Sequence, residues 1–273
     1  MATSQPKRVV VTGGGTFIGM NIAAALLAEG ADVTLLLRPG NETRLGPLAQ
    51  RVRAYTADIW DPASLRGRAR GHSVLIHTVG SMVADPAQGL THHRLNFLSA
   101  RNAANLCISD GVPHMVLLSA VAAPWVSRPY LKAKREAEAY LRRVGLHASI
   151  VRAPLSYLRG QPRPLLYRFV TTLGSIPPTS WLGFGQIAPM PLDLLARGVA
   201  RIALQSNIQS ARSHRIYRAR DIRRLNRRDE RRGELPTMQT FTPVSTEQVS
   251  APYSSVDEEL PFGWTPLDDK FRR

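Results

Sequence analysis

Tyr130 and Lys134 stand four residues apart in the stretch YLKAK. On a helix that spacing puts both side chains on one face. An ammonium beside a phenol lowers the phenol's pKa and makes it a usable proton donor or acceptor near neutral pH. Ser119 closes an apolar run upstream of Tyr130, where its hydroxyl could hold a substrate carbonyl. Asn96 lies in a helical stretch further upstream and could support a proton-relay water. Tyr and Lys at this spacing also occur on ordinary amphipathic helices, so the pair gains meaning only from its place in a fold.

A second group of residues reads as a phosphate cradle. In VVVTGGGTFIG, Val9 to Gly19, a strand ends at Thr12 and a helix begins by Phe17. Gly13, Gly15 and Gly19 let the backbone turn tightly and let a pyrophosphate approach the helix N-terminus, where Thr16, Phe17 and Ile18 form the first turn. The exposed amides and the helix dipole there favour negative charge. The alternative is a glycine turn kept only for packing. At the end of the second strand an acidic residue would bond the 2′-hydroxyl of NAD(H). This chain has Arg38 instead, which would pair with a 2′-phosphate and favours NADP(H); the alternative is an ordinary surface arginine. Asp58 could accept from an adenine amino group, or could simply close a turn. Asp61, before Pro62, reads as a helix cap. His77 reads as a packed strand-end histidine rather than a catalytic group.

These residues need an alternating scaffold, and the first 150 or so residues supply one. Strands are expected at 8–12, 32–37, 51–57, 73–77, 114–119 and 148–152, with helices at 17–29, 62–68, 90–109 and 129–144. Such alternation predicts an α/β fold, a Rossmann-type doubly wound parallel sheet. The pattern predicts a dinucleotide-binding domain over 1–152, a small substrate lobe over 153–225 and an extended interaction tail over 226–273. Helical pieces are expected near 165–173 and 191–204, and 216–225 is strand- or helix-like. The tail, dotted with Pro236, Pro243, Pro252, Pro261 and Pro266, has too little apolar periodicity to build a core alone.

Composition narrows the classes. The chain has 273 residues, 44% of them hydrophobic, enough for a sizeable core. The single cysteine, Cys107, excludes a disulfide framework and any cysteine-based metal site, so no metal is expected and a reducing compartment fits. No run of 18 apolar residues occurs, which argues against a transmembrane helix. The start, MATSQPKRVVV, reads as neither signal nor transit peptide. The expected location is therefore the cytoplasm, including the cytoplasmic face of a membrane, or an organellar matrix if a presequence precedes this numbering. The formal net charge of +16 is carried almost wholly by arginine and favours anionic partners, unless it only reflects codon preference. Nucleic acid is disfavoured, because no basic platform is interleaved with aromatics.

Taken together, TGGGTFIG, Tyr130 with Lys134, Ser119 and Asn96 resemble the signature of the short-chain dehydrogenase/reductase superfamily in its extended and atypical branches. GVPHMVLLSAVAA, YLKAKREAEAYLR and SIVRAP are similar to the branch of the 39-kDa accessory subunit of respiratory complex I. The resemblance covers about residues 7–204. It departs from the superfamily at Thr16, where a glycine is usual, and at His77, where small residues are usual. It implies NAD(P)(H) binding and two roles. One is an accessory subunit attached to a larger assembly, a membrane electron-transfer complex among the options, through residues 226–273. The other is an active NADPH-dependent reductase in which Tyr130 is the general acid, Lys134 lowers its pKa and holds the ribose, and Ser119 polarises a carbonyl. The apolar stretch PLLYRFVTTLGSIPPTSWLGFG would line a substrate lobe, or touch a membrane surface peripherally.

Overall fold

The computed structural model describes residues 6–157, 185–205 and 214–230. A seven-stranded sheet runs in the order β3-β2-β1-β4-β5-β6-β9. Its strands are β1 (Arg8–Thr12), β2 (Asp32–Leu37), β3 (Arg53–Thr56), β4 (Val74–His77), β5 (His114–Ala120), β6 (His147–Ala153) and β9 (His214–Arg218). Every neighbouring pair in it is parallel. A separate parallel pair joins β7 (Ser156–Tyr157) to β8 (Met190–Pro191).

The central strands β1, β4 and β5 are apolar on both faces, as a sheet covered on both sides requires. One face packs Val9, Val11, Ile76 and Val116 against α1 (Phe17–Ala28) and α5 (Leu192–Gln205). The other packs Val10, Leu75, Met115 and Leu117 against α3 (Ser99–Asp110) and α4 (Arg128–Arg143). The strand order reverses direction between β1 and β4. The carboxyl ends of these two strands therefore flank the crevice where ligands bind in open α/β sheets.

Differences from the sequence reading are concentrated at element ends. The second helix, α2, is only Pro62–Leu65, with Asp61 capping it through Ala63 N at 2.9 Å. The long helical stretch begins as a π-helical turn, His93–Leu98, before α3. The span 216–225 divides between β9 and α6 (Ala219–Glu230). β9 extends the main sheet beside β6, because the buried faces of α5 and α6 complete the core on the α1 side. The helical piece near 165–173, the apolar stretch around it and the tail beyond 230 lie outside the described residues.

Helices α5 and α6 meet at Gly198, where an added Cβ would lie 2.5 Å from Ile222 Cγ2. Gly198→Ala should therefore lower stability by about 1–2 kcal/mol, overpacking outweighing the gain in helix propensity. Ile222→Leu moves the branch away from Cβ and should restore most of that loss. Urea unfolding of the single and double variants checks this.

Candidate functional site

The turn after β1 is built around the carbonyl of Gly13. The Thr16 hydroxyl donates to it at 2.7 Å and accepts from Gly19 N at 3.1 Å, capping α1. A Cβ on Gly19 would come within 2.1 Å of that same carbonyl oxygen, so only glycine permits the turn. The Thr16 hydroxyl is thus committed to the turn. Thr12 also supports the turn from below. It is wholly buried, its hydroxyl lies 2.8 Å from His77 Nδ1, and its carbonyl accepts from the Thr78 hydroxyl at 2.6 Å. Phe17 and Ile18 open the first turn of α1.

The loop after β2 packs beside this turn. Asn41 Cβ would be 3.0 Å from a Cβ on Gly15. Arg38 and Arg44 repel one another across the loop, and Asp58 attracts Arg38; burial is the largest influence and lowers the Arg38 pKa. The Asp58 carboxylate accepts from Trp60 N at 3.0 Å and so closes a turn, while Ser64 accepts from Asp58 N at 2.9 Å.

At the other side of the crevice, α4 delivers Tyr130 and Lys134. Both are buried, with the ammonium 5.8 Å from the phenol ring centre. Lys134 Nζ donates to Leu118 O at 3.1 Å. Burial lowers its pKa to about 8, with the negative charge of Glu138 pulling the other way. The expected lowering of the phenol's pKa is not what the structure produces. Burial pushes Tyr130 up, and the charge that counters it belongs to Arg135, not Lys134. Tyr130 is therefore held as a proton donor at neutral pH.

Asn96 sits in the π-helical turn, a wide turn common at functional sites. Its Oδ1 accepts from Ser81 N at 3.0 Å, and its Nδ2 donates to Ser81 O at 2.8 Å and His92 O at 3.1 Å. Its amide thus clamps the loop after β4. Beneath the clamp, Gly80 has φ +150°, and a Cβ there would meet Asn96 Oδ1 at 2.5 Å and Lys134 Nζ at 2.7 Å. His77 is wholly buried at the end of β4, with Nε2 unpartnered and its pKa lowered to about 3 by burial and by Lys134. It is neutral and packed, in keeping with the sequence reading. His92 was not anticipated. Its ring lies edge-on to Tyr130, with centres 5.9 Å apart. No local spacing marks it, because Tyr130 reaches it from another helix.

Ser119 is not brought to the phenol. Its hydroxyl donates to Glu138 Oε1 at 2.7 Å and accepts from Arg135 at 3.1 Å. The fully buried Glu138 also receives Arg152 Nε at 3.1 Å and Arg152 NH2 at 2.6 Å, and pairs with Arg135. The serine is consumed by this network because Glu138 projects from α4 directly over it.

Glycine turn, crevice and parallel sheet define a Rossmann-type dinucleotide-binding protein. Residues 13–165 match the NAD(P)H-binding family, and the chain belongs to that family. No curated protein matches the sequence. Solved structures share the fold. The dTDP-glucose 4,6-dehydratase DesIV from Streptomyces venezuelae, with NAD bound, is 23% identical, at TM-score 0.55 over 77% of this chain and 74% of that one. UDP-glucose 4-epimerase from Bifidobacterium longum, with NAD+ and UDP, is 17% identical, at TM-score 0.57 over 77% of each chain. A short-chain dehydrogenase/reductase from Veillonella parvula is 14% identical, at TM-score 0.54 over 77% and 92%. Among the described residues no helix is long and apolar enough to cross a membrane, and no cluster of metal ligands occurs.

Burial alone would raise the Glu138 pKa; hydrogen bonds from Arg152 and Ser119 and the Arg135 charge more than offset it, so the carboxyl sits below its usual range. A depressed carboxyl stabilises the fold above its unfolded pKa of about 4.3, and that stability is lost as pH falls further. The loss from His77 starts higher, near its unfolded pKa of about 6.5. Glu138→Gln should thus flatten the melting-temperature profile below about pH 5 and leave the slope nearer pH 6 unchanged. Glu138→Ala should cost about 3 kcal/mol at neutral pH by stranding its arginines. Thermal melts across pH test both.

Proposed function

We propose that the protein binds NADP(H) and reduces a carbonyl compound. The observation that carries this reading is the gathering of Lys134 and Asn96 against Gly80, with Tyr130 beside the Lys134 ammonium. The glycine turn fits a pyrophosphate, because the Gly13–Gly19 contact leaves no room for side chains. Phe17 and Ile18 amides would face the pyrophosphate, Arg38 and Arg44 the 2′-phosphate, and the Lys134 ammonium the nicotinamide ribose. Bound NADPH supplies a hydride to the carbonyl carbon and is left oxidised. Tyr130 gives its phenolic proton to the carbonyl oxygen, so that an alcohol forms. Proton return from solvent resets the phenol. Ser119 has no part in this scheme, and His92 is the polar group beside the phenol.

A second reading is a cofactor-binding accessory subunit of a larger assembly, attached through residues 226–273 and turning nothing over. The capture of Ser119 by Glu138 favours it, since the expected carbonyl-polarising hydroxyl is committed elsewhere. Copurification with a stoichiometric set of subunits would support this reading.

NADPH should bind at least tenfold more tightly than NADH in a fluorescence titration. Arg38→Ala should remove most of that difference, about 1.5–3 kcal/mol for a charged hydrogen bond, with little effect on NADH. Equal affinity of the wild type for both would remove the role of Arg38. Tyr130→Phe should lower NADPH oxidation by about 100-fold or more while leaving NADPH affinity within about twofold. Turnover that survives this change would exclude Tyr130 as the acid.

A further inference from the structure

The last strand of the sheet carries an open edge. β9 pairs with β6 on one side, and among the described residues no strand pairs with its other side. Such an edge presents a row of backbone N–H and C=O groups that another strand can complete. Arg215, Ile216 and Arg218 on β9 are exposed, Ile216 at 39%. Arg215 lays its guanidinium over the Tyr217 ring, 4.9 Å from the centre. Arg218 leads into α6, and its N–H donates to Asp221 Oδ2 at 2.8 Å. Asp221 is the only carboxylate in residues 214–227, a span that holds six arginines. Three of these, Arg220, Arg224 and Arg227, are exposed at one-turn spacing along α6, while Ala219, Ile222 and Asn226 are buried.

The opposite edge of the sheet, at β3, is neutralised from within. Arg53 pairs there with Asp32 at 3.1 Å, and Asp32 also lies 3.7 Å from Arg8. Among the described residues no ion pair engages Arg215, Arg218, Arg220 or Arg224. Unpaired charge on an open edge selects what can add to it. A second copy of this chain, set edge to edge on β9, would bring arginine against arginine, which is destabilising. A phosphate of a lipid or nucleic acid meets the charge but has no N–H to give the edge carbonyls. An extended acidic peptide supplies both the backbone bonds and the opposite charge.

We propose that the open edge of β9 docks an extended acidic segment of a partner protein, which joins the seven-stranded sheet as a further strand. An added strand lies about 4.8 Å away, close enough for its carboxylates to reach Arg215 on one face of the sheet and Arg218 on the other. Ile216 shares the face of Arg218 and is covered by an apolar side chain of the incoming strand. The arginines of α6 extend the positive field and speed the encounter. This surface goes beyond both readings of the crevice, and it stands whether the cofactor turns over or not.

The full chain is titrated, by fluorescence anisotropy at low salt, with a labelled peptide of alternating glutamate and valine. The peptide should bind, and affinity should fall several-fold as salt is raised. Arg215→Gln combined with Arg218→Gln, both at exposed positions, should weaken binding about tenfold with the melting temperature nearly unchanged. Backbone N-methylation then separates strand pairing from charge alone. Only one edge of an added strand faces β9, so methylating one alternate set of residues should weaken binding about tenfold or more. Methylating the other set should leave it within about twofold. Equal response to the two sets overturns strand addition. No binding of the acidic peptide, or equal binding of its lysine–valine counterpart, overturns the proposal. So does tighter binding of phosphatidylglycerol vesicles or single-stranded oligothymidine than of the peptide, lost in the same arginine variant, which would give the surface to a phosphate-bearing partner.

Discussion

A single buried carboxylate sets the geometry of the Tyr130 side of the crevice. Glu138 is fully buried, and a charge in that position survives only if its lone pairs are met. The donors come from three elements: Ser119 on β5, Arg152 on β6 and Arg135 on α4 itself. Meeting all of them fixes both the rotation and the axial position of α4 over the sheet. One turn earlier on the helix, Lys134 reaches Leu118 O. Arg135 reaches Ala120 O at 2.8 Å. Another turn earlier, Tyr130 falls just beyond the strand ends, where ligands approach. The phenol's location is thus a consequence of a contact two turns away. The same contact holds the Ser119 hydroxyl.

The second constraint is crowding at the switch point. Gly80, Asn96 and Lys134 approach so closely that a methyl group cannot enter. The π-helical turn is what brings Asn96 to that place, since it shifts the helix face relative to a regular α-helix. Burial there also controls charge. His77 stays neutral at pH 7, so the Lys134 ammonium meets no like charge from it, and burial lowers the lysine's own pKa to about 8.

The sequence by itself determined the features that depend on short-range periodicity. Alternating apolar runs named the strands, because a two-faced parallel strand must be apolar throughout. The glycine spacing named the turn, since its steric demand lies within seven residues, Gly13 to Gly19. Tyr130 and Lys134 were legible because helical spacing alone puts them together. Tertiary structure decided the rest. Thr16 became a cap and Thr12 a support because their partners, Gly13 O and His77, are set by how the turn closes and how β1 lies beside β4. Ser119 met Glu138, and His92 arrived beside Tyr130, through contacts between elements far apart along the chain. The phenol's pKa rose where a local reading expected a fall, because desolvation depends on everything packed around it, while pair spacing reports only one neighbour.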